Sequence, residues 1–438
     1  MDSGKRLNNT KRDLYSAVRT IDNIYRAWAT VRGNVIASGQ EKFKVEVKKI
    51  SENPIPYLRR IQSQLQDESF RFIAQHGGLK KKSSGKVRPL VISPIANRVV
   101  QRAILNILQS ENENLIVKLG KIPTALRTAT SVGGIPKRGV AYGVNLIQEA
   151  IKSGATHYIR SDIRDFFTQV PKPQVIEFVR SQTQDEKLTA LFRQALSTEL
   201  DNAEEIKEYL YLFPTDDIGV PQGSSLSAFA GNVVLQDFDA RMNGRNINTI
   251  RYIDDFVILG FSENAVKSAF ESAQQILASI KMKAYGPQEN PQKSKMGEIK
   301  DGFDFLGCSI KANGVSPSAK SKEKILADIR KSVGYVDYIM QKLGKEKTQR
   351  RAEDAYIQTL ARIDRKIRGW GDAFSFCDVR LPFHQLDDEI TKILDDFDAK
   401  AQRTFQGLTV DQKRRAKGLA LLRDTPPLKE KLLSGKKI

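Results

Sequence analysis

Cysteine is almost absent from this chain: Cys308 and Cys377, far apart, are the only two in 438 residues. Two remote thiols exclude a disulfide framework and a cysteine-based zinc module, and they suit a reducing compartment. Histidine is nearly as scarce. His76, His157 and His384 form no metal-spaced cluster, which argues against an appended His-dependent nuclease. No apolar run reaches the roughly 18 residues that cross a bilayer. The start, Met1-Asp2-Ser3-Gly4-Lys5-Arg6, lacks a signal-peptide core. A cytoplasmic location without a membrane partner is therefore expected. Acid is in deficit as well: 51 Asp and Glu against 71 Lys and Arg leave a net charge of +20 and a pI near 9.7. Such a surplus fits a polyanionic partner, and without a membrane segment nucleic acid is the favoured one.

The stretch that organises the rest is Arg251-Tyr252-Ile253-Asp254-Asp255-Phe256-Val257-Ile258-Leu259-Gly260. Its aromatic and β-branched residues predict two short buried strands, over 249–253 and 256–259, with Asp254-Asp255 at the hairpin tip. Asp suits a turn, but two like charges fixed at the edge of a core are costly unless a cation lies between them. Oxygen ligands alone point to a hard divalent ion.

Upstream, Leu79 to Ser93 reads as a basic hairpin turning at Ser83-Ser84-Gly85, with Lys81, Lys82 and Lys86 near its tip. Arg88 stands beyond the tip, before the buried Pro89-Leu90-Val91-Ile92 run, so it is anchored for a bidentate phosphate contact. Between 128 and 140, glycines enclose Lys137 and Arg138, which predicts a flexible loop suited to a phosphate backbone. A strand arrives at Asp162 in Asp162-Ile163-Arg164-Asp165-Phe166-Phe167. The acidic stretch 201–208 reads as the solvated face of a helical insertion. Gly219 to Ser227 gives a Gly-bracketed turn opening a helix over 226–242; it is no P-loop, yet Gln222 there is well placed to meet a nucleotide.

With these segments in order the chain resembles a reverse transcriptase. The fingers motif matches Lys81 to Leu90, the first palm aspartate Asp162, the Pro-Gln-Gly motif Pro221-Gln222-Gly223, and the aromatic-x-Asp-Asp motif Tyr252 to Asp255. Asn290 to Lys295 is similar to the next palm motif, and Phe303-Asp304-Phe305-Leu306-Gly307 to the hairpin that grips the primer end. Ile367-Arg368-Gly369-Trp370-Gly371 looks like the thumb motif of group II intron reverse transcriptases and their bacterial relatives.

The resemblance implies an α/β right-hand polymerase. Its expected parts are an N-terminal helical extension (1–75), fingers (76–155), an antiparallel palm sheet covered by helices (156–315, with the insertion at about 174–212), a helical thumb (316–400) and a basic tail (401–438). It implies RNA-directed DNA synthesis by two Mg²⁺ ions, which Mn²⁺ can replace, from an RNA template and dNTPs to a cDNA product. Asp162, Asp254 and Asp255 are the expected catalytic residues, and with Ile163 the metal positions. Lys81, Arg88, Phe167, Gln222 and Lys293 are expected at the nucleotide, with Phe167 rejecting a ribose 2′-hydroxyl. Lys82, Lys86, Lys137, Arg138, Tyr252, Gly307, Arg368 and Trp370 are expected on nucleic acid. The compact form is similar to defence-associated (antiphage) bacterial enzymes that work with a dedicated non-coding RNA, and an oligomer is left open. The alternatives are a template-independent or protein-primed polymerase of the abortive-infection type, and an intron maturase that binds RNA without polymerising.

Overall fold

The computed structural model describes residues 13–38, 41–81, 85, 87–244, 246–343, 356–417, 419 and 421–424. The chain divides into two compact units, Met1–Glu298 and Ile299–Ile438.

The first unit is built on a four-stranded antiparallel sheet. Its strands are β3 (His157–Asp162), β4 (Ile247–Tyr252), β5 (Asp255–Gly260) and β6 (Lys295–Glu298), in the order β4-β5-β3-β6; a separate hairpin pairs β1 (His76–Lys81) with β2 (Val87–Ile92). Every residue of β5 after Asp255 is buried, which is why its sequence shows a continuous apolar run rather than alternation. The helix Glu263–Ser279 covers the sheet with Val266, Ala273, Ile276 and Leu277. Phe256 lies between Phe238 and Phe270, at centroid distances of 5.4 and 6.4 Å. The expected N-terminal helical extension contains the helices Ile21–Ala37, Glu41–Glu52 and Pro54–Gln66.

Three segments differ from expectation. The helix expected over 226–242 is two, Ser225–Val234 and Gln236–Arg241, broken at Leu235. The acidic stretch 201–208 is largely turns rather than a helix face. The Asn202 side chain accepts from Gly77 N (2.8 Å) and donates to Gly77 O (3.0 Å), tying that stretch to β1. Finally, the loop 128–139 is strapped down. The Arg138 guanidinium donates to the carbonyls of Thr128 and Ser131, closing the loop on itself, and Val132 N donates to Arg251 O at 2.8 Å. A carbonyl-rich turn gives an internal Arg partners as good as a phosphate would.

In the second unit β7 (Phe303–Phe305), β8 (Cys308–Lys311) and β9 (Gly314–Pro317) form an antiparallel meander. The helices Ala319–Leu343, Tyr356–Ala373 and Leu381–Gln406 follow. They share a core that includes Ile325, Ile329, Ile363, Leu386 and Phe397.

Gly231, inside the helix Ser225–Val234, marks a tight contact. A Cβ there would come 2.6 Å from Phe166 Cε1, and Phe166 is buried. Alanine is ordinarily favoured over glycine in a helix by about 0.5–1 kcal/mol. Overpacking a filled core costs about 1–3 kcal/mol and should win. Gly231→Ala is therefore expected to lower the urea unfolding free energy, and Phe166→Ala to lower it further, by roughly 3–5 kcal/mol. A stabilised Gly231→Ala protein would show that the ring is not wedged against this glycine.

Candidate active site

The hairpin between β4 and β5 turns on Ile253 and Asp254, one residue earlier than expected, so Asp255 already belongs to β5. Its register partners are Tyr252 on β4 and Asp162 on β3. Ile253 has φ +62°, a left-handed conformation that a β-branched side chain adopts only under constraint. The constraint is visible. Gly133 packs so closely on the turn that a Cβ there would fall 2.5 Å from both Ile253 N and Cγ1. From within the fold, Arg251 Nη1 donates to Ile253 O at 2.7 Å.

Arg251 is fully buried. Its Nε and Nη2 hold the two carboxylate oxygens of Asp239 at 2.6 and 2.5 Å, and Nη2 also reaches Ser131 Oγ (2.8 Å) and Asn232 Oδ1 (3.0 Å). Asn232 in turn donates to Gly133 O at 2.9 Å. One guanidinium thus joins the turn to the Gly-rich strap and two helices. Sequence reading passed over this residue, although an Arg at the centre of an apolar strand was the available signal, since a buried charge needs built partners.

Asp162, Asp254 and Asp255 meet at the top of the sheet. Ile163 N donates to Asp254 O at 3.0 Å and Tyr285 N to Asp162 O at 3.1 Å, which fixes the strand ends on each side. Burial and the Asp162 charge raise the pKa of Asp254. Asp255 lies open to solvent on one side but is crowded by protein on the others. That desolvation, with the charges of Asp254 and Asp162, pushes it up to about 7. Lys293 Nζ sits 2.5 Å from Asp162 Oδ2. Burial pulls its ammonium down, but the hydrogen bond to Asp162 and the carboxylate charges outweigh this and hold it above its usual value. Lys295, by contrast, is an exposed strand residue paired with Arg160. Tyr285, not expected here, carries Arg164 over its ring at 4.8 Å, and Arg164 also pairs with Glu289.

Around this centre, Phe166 is buried and Phe167 half-buried, and Phe167 O accepts from Val220 N at 2.7 Å. Gln222 O accepts from Val91 N at 3.0 Å, tying the Pro-Gln-Gly turn to β2. Arg88, exposed on β2, lies close enough for its charge to act on Asp254. Lys81 is exposed at the end of β1; Lys82 and Lys86 fall outside the described residues. Lys137 pairs with Glu111 at 2.6 Å, and Tyr252 is half-buried. In the second unit, Leu306 and Gly307 (φ +51° and +80°) make the two-residue turn between β7 and β8. Arg368 is exposed and pairs with Asp364, while Trp370 packs against Phe374 and Phe383 at 4.7 and 5.6 Å.

The sequence pattern of the family described as "Reverse transcriptase (RNA-dependent DNA polymerase)" matches residues 79–310, over half of the chain and the whole of this carboxylate site. The chain belongs to the reverse transcriptase family. Protein YkfC of Escherichia coli (strain K12) is 26% identical over 266 residues, covering 52% of this chain and 64% of that protein. The group II intron-encoded protein LtrA of Lactococcus lactis subsp. cremoris is 26% identical over 162 residues, 37% of this chain and 24% of LtrA. The chain thus spans less than two thirds of either relative. Among solved structures, a Candida albicans telomerase in complex with a telomeric RNA fragment covers 80% of this chain and 62% of its own, at 13% identity and TM-score 0.39. A partial Cas6-RT-Cas1–Cas2 complex covers 61% of this chain and 41% of its own, at 22% identity and TM-score 0.32.

Membership makes the fold a right-hand polymerase of the α/β class, with β4-β5-β3-β6 as its palm sheet. Reverse transcriptases use divalent metal ions, and the donor set of this palm suits them. It is carboxylate oxygen, held together against its own repulsion, with an ammonium already drawn in. Among the described residues no group of three or more His, Cys, Asp or Glu side chains is arranged to hold a metal ion by itself, so the fit rests on the carboxylate chemistry of Asp162, Asp254 and Asp255.

The Arg251–Asp239 pair gives a test of how the turn is held. Asp239→Asn leaves a buried guanidinium uncompensated and is expected to cost about 3–5 kcal/mol in chemical denaturation. The double variant Arg251→Met with Asp239→Leu should recover most of that stability. It should still incorporate nucleotides poorly, because the contact to Ile253 O is gone. Full incorporation by the double variant would show that the pair has no part in positioning the turn.

Proposed function

We propose that the protein is an RNA-directed DNA polymerase that makes cDNA by two-metal nucleotidyl transfer. The observation that carries this reading is the facing of Asp162 and Asp255 across β3 and β5, with Asp254 in the adjoining turn, inside the span that matches the family. Two divalent cations bound between these carboxylates would acidify a primer 3′-hydroxyl and neutralise the departing pyrophosphate. Asp162, Asp254 and Asp255 hold the charge that makes such binding favourable. Arg88, close enough for its charge to act on Asp254, would meet the triphosphate, and Gln222, whose carbonyl accepts from Val91 N, would seat the incoming nucleotide. Lys293, protonated and within reach of the carboxylates, is the proton source for the leaving group. Phe167 bars a 2′-hydroxyl by volume and by offering it no partner.

Asp254→Ala with Asp255→Ala is expected to abolish dNTP incorporation on a primed RNA template while leaving RNA binding nearly intact, since affinity resides in the cations. An active double variant overturns the polymerase reading.

Phe167→Ala should raise ribonucleotide relative to deoxyribonucleotide incorporation. An unpaired buried hydroxyl costs roughly 1–3 kcal/mol, and steric overlap adds to it, so about a hundredfold discrimination is at stake. Single-nucleotide extension with matched rNTP and dNTP measures it, with the buried Phe166→Ala as a stability control. If Phe167→Ala leaves sugar choice unchanged, the gate lies elsewhere.

The finer setting we propose, copying of a dedicated non-coding RNA in antiviral defence, rests on the motif resemblance. Sequencing the RNA and DNA that copurify with the protein tests it: a random mixture of cellular transcripts would rule it out.

A further inference from the structure

Lys293 carries its ammonium at the end of a long, flexible stem, and holding such a stem in one geometry costs rotamer entropy. The base of the residue is fixed by its turn. Lys293 N donates to Asn290 O at 3.0 Å, and the next side chain, Ser294 Oγ, donates to Arg160 O on β3 at 3.0 Å. The tip has two neighbours. One is Asp162 Oδ2 at 2.5 Å; the other is the ring of Tyr285, whose centroid lies 6.0 Å from Lys293 Nζ. An aromatic face attracts a cation at that range.

Tyr285 is itself tied to the strand end that bears the carboxylate. Its N donates to Asp162 O at 3.1 Å, and its O accepts from Ser161 Oγ at 2.7 Å. A second cation, Arg164, stands 4.8 Å from the same ring centroid and pairs with Glu289. The backbone of Arg164 is anchored beside it, Arg164 N donating to Lys283 O at 2.9 Å. One ring thus serves two cations, and each cation has an acid of its own. Asp162 is also an expected metal ligand, so Lys293 cannot depend on that carboxylate alone. The ring is a holder that no metal takes. A carboxylate in the place of Tyr285 would bind the ammonium tightly and keep it from a leaving group, whereas a ring attracts it without a counter-charge.

We propose that Tyr285 is a positioning residue for nucleotidyl transfer: its ring, braced by the Arg164–Glu289 pair, sets where the Lys293 ammonium stands. The inference rests on the polymerase reading and on Lys293 as its proton source, and it adds the residues that aim that source.

The experiment is single-turnover, single-nucleotide extension of a primed RNA template by the full chain, with the maximal rate and the half-saturating dNTP read separately. Tyr285→Leu is expected to lower the maximal rate about twofold to thirtyfold, the worth of one cation–ring contact. The half-saturating dNTP should not change. Tyr285→Phe keeps the ring and should restore the rate, and Arg164→Met should lower it by loosening the ring. In a Lys293→Gln background Tyr285→Leu should slow the step no further, because the ring then has no ammonium to place. Mn²⁺ binding, followed by electron paramagnetic resonance, should be the same in Tyr285→Leu as in the wild type. Equal slowing with and without Lys293 overturns the inference. So does weaker Mn²⁺ binding, which would make Tyr285 a support for Asp162 instead. Thermal melts establish which variants are folded; should Tyr285→Leu fail to fold, Arg164→Met carries the same cycle. A wild-type protein that extends no primer defeats the polymerase reading. Normal wild-type extension with independent effects of Tyr285→Leu and Lys293→Gln defeats this inference alone.

Discussion

Three carboxylates that repel one another are held at the ends of neighbouring strands, and much of the first unit exists to keep them there. Asp162 and Asp255 are register partners, so the sheet's own hydrogen bonds set their separation. Asp254 is drawn in by the bond from Ile163 N to its carbonyl. Released from the sheet, these groups would move apart and be solvated. Held together, they leave Asp254 and Asp255 with raised pKa values and draw Lys293 onto Asp162. A site that stores repulsion in this way is selective for dense positive charge, and a divalent ion supplies that better than any side chain.

The repulsion has to be resisted at its weakest point, the two-residue turn. Ile253 occupies a conformation that glycine would adopt freely, yet an isoleucine there is stiff. Gly133 from outside and Arg251 from inside close on it. The buried Arg251–Asp239 pair gains little net stability over an apolar pair of the same volume. What it supplies is a unique geometry: five hydrogen bonds from one guanidinium reach two carboxylate oxygens, a hydroxyl, a side-chain amide and the turn's carbonyl. The Gly-rich strap from 128 to 139 belongs to this support. Its Gly133 allows a close approach to the turn, and Arg138 holds the strap shut.

The same logic of borrowed support recurs on the β1–β2 side. The Pro-Gln-Gly turn is bonded to Val91 through Gln222 O, and Gly223 fits only because a Cβ there would stand 2.7 Å from Val91 O. Asn202 ties the acidic segment to Gly77 on the neighbouring strand. Residues far apart in sequence thereby share one set of backbone contacts around the β1–β2 hairpin.

The sequence by itself was enough for the family and for expecting the three aspartates in one place, because ordered motifs and adjacent acids in an apolar run have few other physical explanations. It also located the basic hairpin and the helices near the N-terminus, but the segment expected as a basic tail from 401 carries the end of the helix Leu381–Gln406 and the helix Val410–Ala416 among the described residues. It put the hairpin tip one residue late. Whether Asp255 turns or pairs depends on Ile253 accepting a positive φ, and propensity argues against that. It read the Gly-rich loop as a flexible phosphate binder, since Lys137 and Arg138 carry no mark of the glutamate and carbonyls that engage them. It missed Arg251, Asp239 and Tyr285, and it could not bring Lys293 to Asp162. Those choices belong to tertiary structure, because a partner for a buried charge is decided by which distant segments the fold brings within hydrogen-bond range.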